Sequence, residues 1–233
     1  MNSTLMQAAA LIVPLVVAIV FHEVAHGWAA LALGDPTARE ARRLSFNPLR
    51  HVDPVGTIIL PGMLKLAGLP MFGWAKPVPV DFRRLRNPRI GMMLVASAGP
   101  ASNFVLGAIG AVALGLLARG YGGQQPTGLA AFTVLSLLFF IQINVFLALF
   151  NLIPIPPFDG SHILEGLLPR GAAQFYSRLR GVGLLLVLGL LVVLPWLIPG
   201  FDPVRKYLMV PFEWVIGHYV QLANVVAGNP VVG

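Results

Sequence analysis

Several long apolar segments, each close to the length that crosses a lipid bilayer, constrain this chain more than any other feature. A spanning helix needs about 20 mainly apolar residues, because each residue adds about 1.5 Å and the hydrocarbon layer is about 30 Å thick. Such segments lie at residues 5–33, 90–118, 128–153, 181–199 and, with more polar interruptions, 208–227. Since backbone groups in lipid must bond within their own segment, the sequence predicts an all-α polytopic membrane protein with about five transmembrane helices.

Composition excludes the ordinary soluble classes. The 233 residues are 57% hydrophobic and 11% charged, whereas about 25% of the residues of a soluble domain are charged. The net charge of +7 would suggest nucleic-acid binding in a soluble protein, but here the basic residues are concentrated between the apolar segments. We interpret them as topology signals and lipid-headgroup contacts, and we expect a lipid bilayer and no nucleic acid as a partner.

The basic residues also predict an orientation. Ten Lys and Arg residues and only four acids lie between residues 34 and 89, whereas Arg119 is the single basic residue between the second and third segments. The positive-inside rule therefore places residues 34–89 in the cytoplasm and the N-terminus outside. The first and third segments then both run inward and end on the same side.

The first apolar segment contains His22-Glu23-Val24-Ala25-His26. Imidazoles four residues apart share one face of a helix and can hold a single metal ion, while the intervening glutamate can reach a water molecule at that metal. Ionisable groups in an apolar helix cost about 2.5 to 3.5 kcal/mol each on insertion scales, so a compensating partner is expected. An H-E-x-x-H string also occurs by chance, but this setting favours a metal site for peptide hydrolysis.

A proline-rich stretch follows the third apolar segment. Three prolines between residues 154 and 157 cannot continue a helix, because each lacks an N–H and clashes with the preceding turn. Asp159 then emerges on the same side of the membrane as the histidines. The chain has no cysteine, so carboxylates are the natural companions of the imidazoles, and Asp159 is a candidate third ligand. The alternative is a plain Asp159-Gly160 turn.

Taken together, these motifs resemble the site-2 protease family of intramembrane zinc metalloproteases. The resemblance rests on residues 22–26, on Gly99-Pro100-Ala101-Ser102-Asn103 and on residues 151–160, in that order. The stretches 46–56 and 73–80 are similar to the compact bacterial branch, without PDZ-like or CBS-like domains. One departure is Phe158, where the family more often has Leu or Met.

The resemblance implies one Zn²⁺ ion per chain, with His22, His26 and Asp159 as metal ligands and Glu23 as the catalytic base. It also implies a location in a bacterial plasma membrane, the cell inner membrane. The charge-based topology places the active site toward the cytoplasm. The expected substrate is a single-pass membrane protein that is cut in regulated intramembrane proteolysis.

Other polar residues in the apolar segments are interpreted separately. The resemblance implies that Asn103 and Asn151 lie near the catalytic centre, where an amide could bind the substrate carbonyl or the developing oxyanion. Asn144 is interpreted as a hydrogen-bonding contact between helices. Structural roles are expected for the three remaining histidines, which are His51, His162 and His218.

The region 55–80 is apolar but is interrupted by proline, glycine and lysine, so it is too broken to span. It is interpreted as a small re-entrant segment followed by strand-like pieces around Val78 and Val80. The resemblance implies a β element beside the active site, whose edge could hold an unwound substrate. The alternative is an ordinary cytoplasmic loop.

These features predict one integral membrane protease domain over residues 1–233, with a catalytic core at about 5–170 and accessory helices at about 178–228. The predicted function is that of an intramembrane zinc metalloendopeptidase. Two alternatives remain: a membrane metal carrier that uses the same ligands, and an inactive relative that only binds membrane partners.

Overall fold

The computed structural model confirms the all-helical prediction. It describes residues 3–59, 62–63, 66, 75–122, 124–198 and 202–231, and none of these residues is in a β-strand. The α-helices are α1 (Ser3–Ala32), α2 (Thr37–Glu40), α3 (Pro88–Tyr121), α4 (Gly128–Asn151), α5 (Asp159–Leu167), α6 (Arg170–Ser177), α7 (Gly183–Leu188), α8 (Leu194–Leu197) and α9 (Val210–Ala227). Short 3₁₀ turns cover Pro48–His51, Phe82–Arg84 and Arg178–Val182, and π-helical turns cover Pro54–Ile59, Gly189–Val193 and Arg205–Met209.

Three helices of the described residues are long and apolar enough to cross a membrane. They are Leu5–Ala32, Pro88–Tyr121 and Gly128–Asn151, and they match the first three predicted segments. The fourth predicted segment, 181–199, is a succession of short helical pieces in its described residues. The fifth contains α9, which is not among these candidate spans. The count of five spanning helices therefore stays a prediction.

Local sequence explains where the long helices begin and end. α1 stops at Gly34, whose φ of +111° favours glycine, and the N–H of Asp35 donates back to the carbonyl of Ala30 (2.9 Å). α3 starts after Asn87, whose side chain caps the first turn, and stops at Gly122, which has a φ of +55°. These signals fix how far each helix extends.

α3 is the central helix of the bundle and packs against α1, α4, α5 and α9. Glycines allow the close approach that helix association in lipid requires. A methyl group at Gly107 would lie 2.7 Å from the ring of Tyr219, and one at Gly115 would lie 2.5 Å from the carbonyl of Ala223. The same helix can therefore contact the elements that carry the predicted metal ligands, which lie on α1 and α5.

The predicted re-entrant and strand-like element is not confirmed. Residues 60–61, 64–65 and 67–74 lie outside the described residues. Val78 and Val80, where strand-like pieces were expected, have an irregular backbone. This irregular part nevertheless packs against α1, since a methyl group at Gly27 would lie 2.9 Å from the side chain of Val78.

Candidate metal centre

Side chains from two helices converge on one point inside the bundle. The Nε2 atoms of His22 and His26 are 3.1 Å apart. Oδ2 of Asp159 lies 3.1 Å from Nε2 of His22 and 3.3 Å from Nε2 of His26. Both imidazoles are buried, and the carboxylate is partly buried. The structure thus brings together the three residues that the sequence nominated as ligands, although Asp159 is 137 positions from His22.

The tautomers of both imidazoles follow from what their other nitrogens contact. Nδ1 of His26 lies 2.7 Å from the carbonyl oxygen of Val95, which can only accept, so Nδ1 carries the proton. Nδ1 of His22 lies 2.6 Å from Oδ1 of Asn103. The amide nitrogen of Asn103 donates to the carbonyl of Ala18 (3.1 Å), which fixes Oδ1 as the acceptor. In the neutral form of each imidazole, Nε2 then carries a lone pair and no proton, which is the form that binds a metal.

This arrangement fits a zinc ion. In that neutral form, two imidazole lone pairs and a carboxylate oxygen meet with no proton between them, and they repel one another unless a cation lies among them. Ligand atoms about 2.0 to 2.1 Å from a tetrahedral zinc ion are separated by about 3.3 Å. The three observed separations, 3.1, 3.1 and 3.3 Å, agree with that spacing. Two nitrogens and one oxygen are also a ligand set that catalytic zinc sites use.

α5 positions the carboxylate. Asp159 is the first residue of this helix, so the sequence Asp159-Gly160 forms a helix start and not the isolated turn that was the alternative. Gly160 is required by space, because a methyl group there would lie 2.2 Å from the carbonyl oxygen of Leu152. At the other end of α5, the guanidinium of Arg89 on α3 donates to the carbonyl of Gly166 (3.1 Å).

Gly99 makes room for the two imidazoles. A methyl group at this position on α3 would lie 2.5 Å from the ring of His26 and 2.7 Å from the ring of His22. Any side chain at residue 99 would therefore displace the candidate ligands. This explains in physical terms why a glycine precedes Pro100 in the second motif.

Asn103 and Asn144 form a buried hydrogen-bonded chain that ends at His22. Both residues have 0% exposure. The amide of Asn103 donates to Oδ1 of Asn144 (2.8 Å), and the amide of Asn144 donates to the carbonyl of Phe140 (2.8 Å). Because the Asn103 amide also donates to Ala18, both of its N–H groups are occupied. The predicted oxyanion role of Asn103 stays a prediction, and these contacts do not favour it. They instead favour a role in which Asn103 orients the His22 ring.

Asn151 has different contacts. Its amide donates to the carbonyl of Leu147 (2.9 Å) in its own helix, and no hydrogen bond links it to the three candidate ligands within the described part of the chain. Its predicted oxyanion role stays a prediction. The interpretation of Asn144 as a contact between helices is correct but incomplete, because sequence reasoning did not connect it to His22.

Glu23 lies between His22 and His26 in the sequence of α1, and it is half-buried. Its Oε2 accepts a hydrogen bond from the backbone N–H of Val78 (2.8 Å). The family resemblance implied a strand-like element around Val78 and Val80 beside the active site. A hydrogen bond between Val78 and Glu23, which are 55 positions apart, was not predicted.

The three remaining histidines lie outside the cluster. His51 is buried, and its Nε2 donates to the carbonyl of Ser45 (2.7 Å). His218 is exposed, and its Nδ1 donates to the carbonyl of Trp214 (2.8 Å). His162 lies on α5, where burial and, to a smaller extent, the nearby Arg180 lower its pKa below the usual value. Among the described residues, only His22, His26 and Asp159 form a group that could hold a metal.

The chain is similar to proteins described as metalloproteases. The sequence model described as "Peptidase family M50" matches residues 124–194. The chain is 38% identical over 213 residues to "Putative zinc metalloprotease YwhC" of Bacillus subtilis (strain 168), which covers 87% of this chain and 92% of that protein. It is 30% identical over 172 residues to "Putative zinc metalloprotease Rip2" of Mycolicibacterium smegmatis, covering 73% of this chain and 62% of that protein. No solved structure matches the chain significantly.

Proposed function

Because this chain belongs to peptidase family M50 and is a site-2 type zinc metalloprotease, we propose that it cleaves membrane proteins within or beside their transmembrane segments. The observation that carries the proposal is the convergence of two imidazole nitrogens and a carboxylate oxygen inside a bundle of helices long and apolar enough to span a membrane. A soluble peptide would have little access to such a site, whereas a membrane protein shares the bilayer with it.

His22, His26 and Asp159 are the residues that would hold the zinc ion. When bound, zinc lowers the pKa of water toward about 7 and polarises a peptide carbonyl. Glu23 accepts the proton of the attacking water and passes it to the leaving amine. Asn103 and Val95 keep the two imidazoles in the tautomer and orientation that leave Nε2 free.

The substrates we propose are single-pass membrane proteins processed in regulated intramembrane proteolysis. His26 lies six residues before the end of α1 at Ala32, which corresponds to a depth of about 9 Å along the helix. The basic residues that follow α1 favour a cytoplasmic location for this end. Water and the substrate backbone would then reach the site from the cytoplasmic side.

The test uses purified protein in detergent and the substitution Glu23→Gln. Glutamine keeps the size of the side chain but cannot act as a base, so we expect one bound zinc ion and no detectable cleavage of a tagged single-pass polypeptide. Substantial proteolysis by Glu23→Gln protein would refute the role of Glu23.

A second variant tests the ligand set and the rival functions. Asp159→Ala removes one ligand, so the zinc content should fall. An unchanged zinc content would remove Asp159 from the set.

A metal carrier would move zinc across vesicles without cleaving polypeptide, and an inactive relative would bind a membrane partner without chelator-sensitive cleavage. Either result would refute the proposal.

A further inference from the structure

A short irregular segment, residues 75–81, crosses α1 beside Glu23. The backbone N–H of Val78 donates to Oε2 of Glu23 (2.8 Å), and the Val78 side chain is 7% exposed. The approach is close because residue 27 on α1 is glycine: a methyl group there would lie 2.9 Å from Val78 and 2.4 Å from Leu44. The segment therefore contacts the helix that carries the H-E-x-x-H motif.

The sequence of this segment presents a single backbone donor to the glutamate. Pro77 and Pro79 lack an N–H, so Val78 carries the one backbone N–H of these three residues. Proline also fixes its own φ, and Pro79 restricts the conformation of Val78 before it. The donor is thus held in a narrow range of conformations before it meets Glu23.

Contacts other than Glu23 hold both ends of the segment. The N–H of Lys76 donates to the carbonyl of His51 (2.8 Å), and the guanidinium of Arg43 donates to the carbonyl of Lys76 (2.8 Å). At the far end, the N–H of Asp81 donates to Oδ2 of Asp35 (2.7 Å). Residues 75–81 are therefore fixed on the surrounding loops, and Glu23 meets a donor whose position is already determined.

The carboxylate of Asp35 is itself fully engaged. It has 0% exposure, and its Oδ1 accepts from the backbone N–H of Thr37 (3.0 Å) and from the Thr37 hydroxyl (2.5 Å). A buried carboxylate with these partners is a rigid attachment point. The Asp35 carboxylate connects the C-terminal end of α1, the helix that carries Glu23, to the end of the 75–81 segment.

We propose that Val78 is a positioning residue for the catalytic base. Its N–H fixes Oε2 of Glu23, so that the other oxygen, Oε1, is oriented to take the proton of the attacking water. This inference rests on the proposed function, because it assumes that Glu23 acts as the base. It also gives the 75–81 segment a task within the enzyme itself, separate from any contact with substrate.

The test compares Val78→Pro with Val78→Ala in the full-length protein. Proline removes the N–H, whereas alanine keeps the N–H and loses the buried side chain. With a tagged single-pass model polypeptide as the probe, Val78→Pro should lower kcat between about tenfold and about a hundredfold relative to Val78→Ala. KM should stay within about twofold, since uniform binding is unchanged, and each variant should bind one zinc ion.

Other outcomes would overturn the inference. A kcat for Val78→Pro equal to or above that of Val78→Ala would show that the N–H does not position the base. If Val78→Pro fails to fold, a backbone ester at residue 78 decides, because it replaces the N–H by oxygen and keeps the valine side chain. A kcat of the ester form equal to that of the wild type would refute the inference. Absence of zinc-dependent cleavage in the wild type would instead refute the proposed function.

Discussion

Replacing Asn103 with leucine should weaken zinc binding without removing a ligand. Leucine has the same number of side-chain heavy atoms and the same branching as asparagine, but it cannot accept the hydrogen bond from Nδ1 of His22, which is 2.6 Å from Oδ1 in the wild type. Without zinc, the His22 ring of the variant can move its proton to Nε2 and donate to Asp159, 3.1 Å away. Zinc binding requires the proton to return to Nδ1, where it has no acceptor.

The expected loss of zinc affinity follows from this unpaired N–H in the zinc-bound variant. A buried N–H without a partner costs about 1 to 3 kcal/mol, and the cost falls only on the zinc-bound state. Loss of a hydrogen-bonding partner behind a metal-binding histidine typically lowers metal affinity about tenfold to about a hundredfold, or about 1.4 to 2.7 kcal/mol. The two estimates agree, so we expect Asn103→Leu to bind zinc about tenfold to about a hundredfold more weakly.

Competition with a chelator of known affinity measures this change in purified protein. Ser102→Ala is the matched control, because the Ser102 hydroxyl donates to the carbonyl of Gly99 in its own helix (2.7 Å) and does not contact His22. Asn103→Asp keeps an acceptor for Nδ1 and should recover part of the affinity. Zinc affinity of Asn103→Leu within about twofold of the wild type, in folded protein, would refute this account.

Three further predictions test other parts of the site. Gly99→Ala should abolish stoichiometric zinc binding, measured by metal analysis, because its methyl group would lie 2.5 Å from His26; Gly120→Ala, where nothing lies within 4 Å, should bind zinc normally. Asn151→Leu should leave zinc affinity unchanged and lower kcat if its amide binds the oxyanion, so an unaltered kcat would exclude that role. In the cysteine-free chain, Arg39→Cys in intact bacteria should resist a membrane-impermeant maleimide and Arg119→Cys should react; the reverse labelling would invert the proposed orientation.

Much of the helical framework could be predicted because lipid imposes it locally. The first three spans follow from segment length and apolarity, and the three structural helices end within three residues of the prediction. The later segments, 181–199 and 208–227, carry a weaker signal, and the structure divides the first of them into short pieces. The backbone around Val78 and Val80 could not be assigned, because residues 75–81 are held by contacts with α1 and with the loop that follows it.

The sequence by itself nominated the candidate ligands and the candidate base of the metal centre. The four-residue spacing of His22 and His26 places both rings on one helix face, and the prolines before Asp159 stop the preceding helix, whatever the rest of the chain does. These are properties of neighbouring residues, so no tertiary information was needed to nominate the ligands and the base.

Only the tertiary structure decided which groups orient those residues. Asn103 reaches His22 from 81 positions away, and Val78 reaches Glu23 from 55 positions away. Such hydrogen bonds depend on the relative placement of whole helices and loops, to within a few tenths of an ångström. The local periodicity of the sequence does not predict that placement. For the same reason, the need for glycine at residue 99 became clear only when α3 was seen against the two imidazoles.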